Sequence, residues 1–226
     1  HVKTIEEGDS FADSAEALVW SNTAGTLTCS GMRITGRQNT LYVKGITFFS
    51  ECVISGDKDF IYGESELAYF EECELYLLED TFGEKDSCVV NSQSVAGKSG
   101  FVFKNCKFTG DRKNKSTAYV IRTDGKGSST SLKDWDNVAL INCIIEDWYS
   151  PEMVFDDDMN LKIFPRGNAK NGIREYGTKI IEKGGKLTVA DTARRNVMSY
   201  TLTDEDYYRF YASRFLICQN TPLAGI

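Results

Sequence analysis

Histidine is almost absent from this chain: the one residue of its type, His1, stands at the first position. A serine–histidine–aspartate triad needs an imidazole beside its nucleophile, so this class of hydrolase is nearly excluded. The seven cysteines form no Cys-x-x-Cys pair, and a zinc site built from histidine and cysteine is not expected. We therefore predict no metal and no cofactor. Without a catalytic histidine, we expect carboxylates to act as the acid and base.

Proline is scarce as well, and no apolar run approaches the roughly 20 residues that span a bilayer. Positive charge is in deficit, since the formal net charge is −7, which argues against nucleic acid or an anionic membrane as the main partner. The chain is instead rich in glycine, phenylalanine and tyrosine, as is typical of β-rich folds with many turns. Its length predicts one domain over residues 1–226.

A short pattern recurs along the chain: an apolar run, about two polar residues, a cysteine, one residue and another apolar residue. It is centred on Cys52, Cys73, Cys106 and Cys143, and a weaker copy has Met32 in the cysteine's place. The steps between these five positions are 20, 21, 33 and 37 residues, which suggests one coil with inserted loops. Because such a unit buries its apolar face only by stacking on neighbours, the pattern predicts an all-β, parallel β-helix.

The recurring cysteines have two interpretations. Because the position repeats and methionine replaces one copy, we favour an internal ladder of small apolar groups over catalytic or disulfide cysteines. The tail from about residue 187 differs from the repeat, and we expect it to pack on the β-helix. Thr203, followed by three acidic residues and several aromatic residues, predicts a capped amphipathic helix that covers the open end of the stack.

Two motifs carry a resemblance to a known family. Residues 36–43 read Gly-Arg-Gln-Asn-Thr-Leu-Tyr-Val, and residues 52–63 read Cys-Val-Ile-Ser-Gly-Asp-Lys-Asp-Phe-Ile-Tyr-Gly. They resemble the pectin methylesterase signatures G-x-Q-D-T-L-Y and C-x-I-x-G-x-x-D-F-I-F-G, in the same order and at nearly the same separation. Residues 16–20 and 119–122 are similar to two further family segments.

The resemblance implies a right-handed parallel β-helix that hydrolyses the methyl ester of galacturonate units in pectin. It also implies two catalytic aspartates, glutamine donors and an arginine. Asp59 falls on the family's nucleophile and Arg122 on the arginine that holds it, while Gln38 is retained. Asn39 replaces the family's acid/base aspartate, and Glu16 replaces an oxyanion glutamine. The tryptophan that follows the family's arginine is also absent.

The spacing of these residues has a structural reading that is independent of the family. Glu16, Asn39 and Asp59 are separated by 23 and 20 residues, each close to one coil, so we expect them to stack on one face. An amide does not titrate, and Asn39 therefore leaves either an inactive protein or an exchange of roles. In the exchange, Glu16 supplies the missing carboxyl and Asn39 the missing amide donor.

Aromatic residues near the motif are candidate sugar contacts. Phe60, Tyr42 and Tyr62 either contact the substrate or pack in the interior, and Trp148 is either a sugar platform in the cleft or a cap on the coil edge. Their type fits both readings, because an aromatic ring suits a sugar face and a protein core equally well.

We predict a carbohydrate esterase that acts on pectin or a related polysaccharide. The alternatives are a catalytically impaired glycan-binding β-helix and a polysaccharide lyase on the same architecture. Since pectin lies outside cells, an extracellular, periplasmic or cell-surface location is expected. About fifteen residues precede Glu16, where family members have several coils, so we also expect that N-terminal coils are missing or belong to a second chain.

Overall fold

The computed structural model describes residues 16–79, 86–91, 93–95, 97–113, 117–123, 134–156 and 167–219. The helices are α1 (Asp204–Phe210) and α2 (Arg214–Gln219), after a 3-10 turn (Thr192–Arg194). Neither is long and apolar enough to cross a membrane. The strands are β1 (Leu18–Ser30), β2 (Arg33–Thr35), β3 (Leu41–Ser50), β4 (Val53–Gly56), β5 (Ile61–Tyr62), β6 (Ser65–Glu71), β7 (Glu74–Leu77), β8 (Asp86–Asn91), β9 (Gln93–Val95), β10 (Gly100–Lys104), β11 (Lys107–Gly110), β12 (Thr117–Thr123), β13 (Asp134–Asp136), β14 (Val138–Ile141), β15 (Ile144–Glu146), β16 (Val154–Asp156), β17 (Ile173–Tyr176), β18 (Lys179–Ile181), β19 (Leu187–Val189) and β20 (Ser199–Thr201).

The strands form three faces of a stack of coils. The first face contains the first halves of β1 and β3 with β5, β8, β12 and β16. The second contains the second halves of β1 and β3 with β6, β10, β14, β17 and β20, and the third contains β2, β4, β7, β11, β15 and β18. Strands of successive coils pair in parallel, so the predicted parallel β-helix is confirmed.

Ladders of identical side chains fill the interior, because parallel register places equal positions on top of one another. The rings of Phe49 and Phe70 stack with centroids 4.9 Å apart, and those of Phe70 and Phe103 with centroids 4.7 Å apart. These separations equal the spacing of neighbouring strands. All three side chains are fully buried.

The cysteine ladder lies at the corner between the second and third faces. Its buried members are free thiols, and each donates to a carbonyl of the preceding coil, as from Cys106 Sγ to Phe70 O at 3.4 Å and from Cys143 Sγ to Phe103 O at 3.4 Å. The structural interpretation of these cysteines is therefore confirmed. Met32 precedes β2 at the equivalent position, but its side chain is exposed at this end of the stack.

The same corner carries a repeated backbone conformation. One residue in each coil has a φ near +55°, in the left-handed region: Glu51, Glu72, Asn105 and Asn142. Gly31 and Gly177, with φ of 64°, occupy the same position at the two ends of this row. This single residue turns the chain from the second face to the third, which gives successive coils the same cross-section.

The C-terminal helices pack on the outer surface of the second face. Thr203 and Asp206 cap α1 through a reciprocal capping box, as predicted. Phe210 and Tyr211 pack with Val102 and Ile141 of the sheet, and Lys104 Nζ donates to the carbonyl of Ala212 at 2.9 Å, just beyond α1. The expectation that this helix covers the open end of the stack is wrong, because its apolar side is buried against outward-facing residues of the sheet.

Candidate active site

Glu16, Asn39 and Asp59 occupy equivalent positions in three successive coils. Leu18 pairs with Leu41, and Leu41 pairs with Ile61, which places the residue two positions earlier in each coil on one line. Backbone hydrogen bonds extend to these turns, since Asn39 N–H donates to Lys58 O at 3.2 Å. The predicted stacking of the three residues is therefore present, with Asn39 in the middle coil.

The turn that carries Asp59 is fixed by close packing. Asp59 has a φ of 44°, and its N–H donates to Cys88 O in the next coil at 2.8 Å. Gly56 leaves no room for a side chain, because an added Cβ would lie 2.4 Å from Arg37 O and 2.2 Å from the Cβ of Phe60. The backbone therefore holds the aspartate in a conformation that side chains rarely adopt.

Phe60 anchors this turn from the interior of the stack. Its side chain is fully buried and belongs to the main apolar cluster of the interior. A ring with no exposed surface cannot contact a polysaccharide, so the prediction of Phe60 as a substrate-binding residue is corrected to the packing alternative. The Cβ of Phe60 lies against Gly56, and Ile61, which follows it at the start of β5, is also fully buried.

Arg122 holds the carboxylate of Asp59. The Arg122 guanidinium donates from Nη1 to Oδ2 of Asp59, although the residues are two coils apart in the stack. The side chain of Asp59 is 7% exposed and that of Arg122 is 22% exposed. A guanidinium next to a shielded carboxylate favours its ionised form, which is the form that acts as a nucleophile.

A second hydrogen-bonded pair lies at the other end of the stacked set. Tyr62 donates from its hydroxyl to Oε1 of Glu16, and its ring meets that of Tyr42 edge-on with centroids 5.1 Å apart. Burial, together with the adjacent Glu16, raises the pKa of Tyr62 well above its ordinary value. Tyr62 therefore remains a protonated donor, and it orients the Glu16 carboxyl.

Asn91 is a member of this site that the sequence reasoning missed. Tyr42 pairs with Tyr62, and Asn91 pairs with Arg122. Because Ile61 pairs with Val90, Tyr62 and Asn91 are also in register, so one row of the first face contains Tyr42, Tyr62, Asn91 and Arg122. Asn91 is half-buried, and its Oδ1 has no hydrogen-bond partner within the described structure. The signal available in the sequence was a polar residue at the end of the apolar run Cys88–Val89–Val90.

Two other candidates are placed differently. Gln38 is half-buried in the turn next to Asn39, beside Arg37, whose guanidinium pairs with Asp57 at 3.2 Å. Trp148 follows β15, and Asp57 follows β4 at the equivalent position three coils earlier. Three coils correspond to roughly 14 Å along the stack. The indole N–H of Trp148 donates to Glu146 at 2.6 Å. The structure does not bring Trp148 to Asp59, and its packing on the core favours the coil-edge alternative.

The fold and this geometry define a parallel β-helix with a carboxylate-based site on one face. The pectinesterase family model matches residues 10–170 of the chain. A probable pectinesterase A from Aspergillus niger is 35% identical over 193 residues, which cover 82% of this chain and 55% of that protein. A probable pectinesterase/pectinesterase inhibitor from Arabidopsis thaliana is 26% identical over 73% of this chain and 29% of its own length.

Solved structures show the same architecture. Pectin methylesterase from carrot has a TM-score of 0.57 at 17% identity, over 78% of this chain and 52% of that one. Pectin methylesterase PemA from Erwinia chrysanthemi has a TM-score of 0.55 at 20% identity, over 84% and 57%.

The chain belongs to the pectinesterase family. It spans about half, or less, of the length of the relatives it matches.

Proposed function

We propose that this chain is a carbohydrate esterase that hydrolyses methyl esters of galacturonate units in pectin, with Asp59 as the nucleophile. The observation that carries the proposal is the shielded Asp59–Arg122 ion pair at the end of the stacked set. Family membership supports the reaction class, and a solved relative is a pectin methylesterase in complex with a hexasaccharide. The substrate is a polymer found outside cells, so we propose an extracellular, periplasmic or cell-surface location.

In the first step, an Oδ atom of Asp59 attacks the ester carbonyl carbon and forms an acyl-enzyme. The bond from that carbon to the methoxy oxygen breaks, and the departing oxygen takes a proton to leave as methanol. A water molecule then attacks the acyl group, gives a proton to the acid/base residue and releases Asp59. The amides of Gln38, Asn39 and Asn91 are the available donors for the oxyanion that forms in each step.

The proton donor in this scheme is Glu16. Its Cα lies two coils from that of Asp59, which is roughly 10 Å along the stack, and Asn39 lies in the coil between them. Tyr62 donates to Oε1 of Glu16 and holds this carboxyl in place beside the stacked set. This arrangement supports the exchange of roles in which Glu16 supplies the carboxyl and Asn39 the amide.

A glycan-binding module without hydrolysis is the second candidate, because Asn39 occupies the position of the family's acid/base aspartate. Methanol release from esterified pectin separates the two functions. Methanol formation by the wild-type chain, and its loss in Asp59→Asn, supports the esterase. Binding of pectin without methanol formation would favour the glycan-binding module. Unsaturated products would indicate the lyase alternative, which the family match does not favour.

The expectation that N-terminal coils are missing or belong to a second chain stays a prediction. Within the described residues, β1 pairs with β3 on one side. An intact mass compared with the full coding sequence tests whether the natural protein carries more coils.

A further inference from the structure

A cavity of about 210 Å³ lies on the opposite side of the second face from the interior. It is bounded by the turn before β10, the segment before β17 and the C-terminal helices. Its lining residues are Gly97, Lys98, Ser99, Lys170, Asn171, Arg174, Tyr211 and Ile217. None of these residues belongs to the site around Asp59. A cavity of this size suits one small polar group rather than a whole sugar chain.

Among the described residues, the charged side chains that line the cavity are all cationic. Lys98, Lys170 and Arg174 contribute to its wall, and no carboxylate is among the lining residues in the part of the chain that the structure describes. Lys98 is paired with Glu66 at 3.0 Å, outside the lining. The chain as a whole has a formal net charge of −7, so a lining of this sign is a local feature rather than a consequence of composition.

Arg174 is the unusual member of this group. It is 1% exposed, yet its guanidinium contacts are to neutral oxygens: Nε donates to Tyr211 Oη at 2.6 Å, Nη2 to Ser99 O at 3.1 Å, and Nη1 to Gly172 O. Within the described structure no carboxylate forms an ion pair with it. A buried charge is normally accompanied by an opposite one, because taking it out of water is costly.

Lys170 lies at the mouth of the same cavity. Its side chain is exposed, and its ammonium lies 5.0 Å from the centroid of the Phe210 ring. The contact is with the aromatic face, and no ion pair of Lys170 is present within the described structure. Besides Lys98, which is paired with Glu66, two cations therefore share the cavity, one deep and one at the rim, and none of its described lining residues is a carboxylate.

We propose that this cavity is a binding site for an anionic oxygen group, a carboxylate or an inorganic oxyanion. The Arg174 guanidinium forms the inner wall and attracts the anion, and the Lys170 ammonium forms an ion pair with the same anion at the rim. A carboxylate has two sources, a free small anion or an unesterified galacturonate unit of a polysaccharide. The site is independent of ester hydrolysis, because none of the residues around Asp59 contributes to it.

The first measurement is the affinity of the wild-type chain for two probes, inorganic phosphate and an unesterified galacturonate oligosaccharide, by isothermal titration calorimetry. Arg174→Gln alone would be a poor test, since Arg174 also ties three segments together. Lys170→Glu reverses the charge at the exposed rim and leaves those ties in place. Lys113→Glu makes the same charge change at an exposed lysine after β11, on the third face, and serves as the matched control.

We expect Lys170→Glu to weaken binding at least tenfold and Lys113→Glu to change it less than twofold, since a charge-assisted contact is lost in the first variant alone. Neither substitution changes the site around Asp59, so any oligosaccharide binding there contributes equally to the affinities of the two variants. An effect on phosphate but not on the oligosaccharide identifies a free anion as the ligand, and an effect on the oligosaccharide identifies the polysaccharide carboxylate.

Equal affinities of the two variants for both probes would overturn the proposal, as would the absence of binding by the wild type. Methanol release, measured in parallel, reports on the esterase proposal separately.

Discussion

Arg122 and Asp59 are 63 residues apart in the chain and form an ion pair across two coils of the stack. The pairing of β5 with β8 and of β8 with β12 brings the two residues together, so the ion pair depends on the register of three coils. Asp59 is well shielded, and the Arg122 guanidinium places a positive charge beside the carboxylate that we propose as the nucleophile.

Substitutions at this pair test the nucleophile directly. Asp59→Asn keeps the size of the side chain and removes its charge, and we expect methanol release to fall by at least about a thousandfold. Arg122→Gln is expected to reduce kcat by roughly a hundredfold, because the carboxylate loses its partner, and Arg122→Lys is expected to recover part of the rate. Arg112→Gln, which disrupts an exposed ion pair with Asp147 on another face, is the matched control.

The exchange of roles between Glu16 and Asn39 makes a separate prediction. Glu16→Gln is expected to abolish ester hydrolysis, because the one carboxyl that then remains in the stacked set, Asp59, is the proposed nucleophile and does not serve as the proton donor. Adding Asn39→Asp to that variant restores a carboxyl in the middle coil and should return measurable activity. Glu64→Gln, at an exposed glutamate that pairs with Lys44, controls for loss of charge. Full activity of Glu16→Gln would refute the exchange.

The phenylalanine ladder is expected to dominate stability. Phe70 is stacked on both sides, by Phe49 and Phe103, and is fully buried. Phe70→Ala should lower the free energy of unfolding by about 3–5 kcal/mol, measured by urea denaturation followed by circular dichroism, because it leaves a cavity between two rings. Tyr208→Ala, at a tyrosine 68% exposed, should change it by less than about 0.5 kcal/mol. Similar effects of the two substitutions would contradict this account.

The cysteine ladder predicts a loss of stability in alkaline solution. Burial raises the pKa of Cys143 from its ordinary value of 9.0 to about 12. Between these values the folded state keeps a proton that the unfolded state has lost, so the stabilisation is complete below pH 9 and decreases as the pH rises toward 12. Unfolding midpoints in urea at several pH values from 8 to 11 measure this loss. Cys143→Ala should flatten the dependence, and an unchanged slope in that variant would rule out this thiol as its source.

Much of the fold could be predicted because the β-helix repeats its pattern. The recurrence of cysteine between apolar residues predicted the coil at Cys52 and Cys73, and the parallel register continues across the longer steps to Cys106 and Cys143. The same spacing placed Glu16, Asn39 and Asp59 on one line. These successes rest on local periodicity, which backbone hydrogen bonds between coils convert directly into position.

The errors concern contacts that periodicity does not determine. The amphipathic pattern of α1 predicted a helix, but not which surface would cover its apolar side, and outward-facing residues of the second face such as Val102 proved to pack with Phe210. Phe60 was ambiguous because an aromatic residue next to a catalytic candidate suits either a groove or a core. Asn91 was overlooked because the loops that separate coils hide its register with Tyr62.

The left-handed residue at each corner has a consequence for how the coils find one another. A non-glycine residue in this conformation costs about 1–2 kcal/mol, so it is adopted where the surrounding coil requires it. If one coil slid past its neighbour by a single residue, Cys73 would have to take the conformation of Glu72, and every inward side chain of that coil would face outward. The left-handed residue at each corner therefore opposes slippage between coils. The alignment of Asp59 with Arg122 depends on this fixed register.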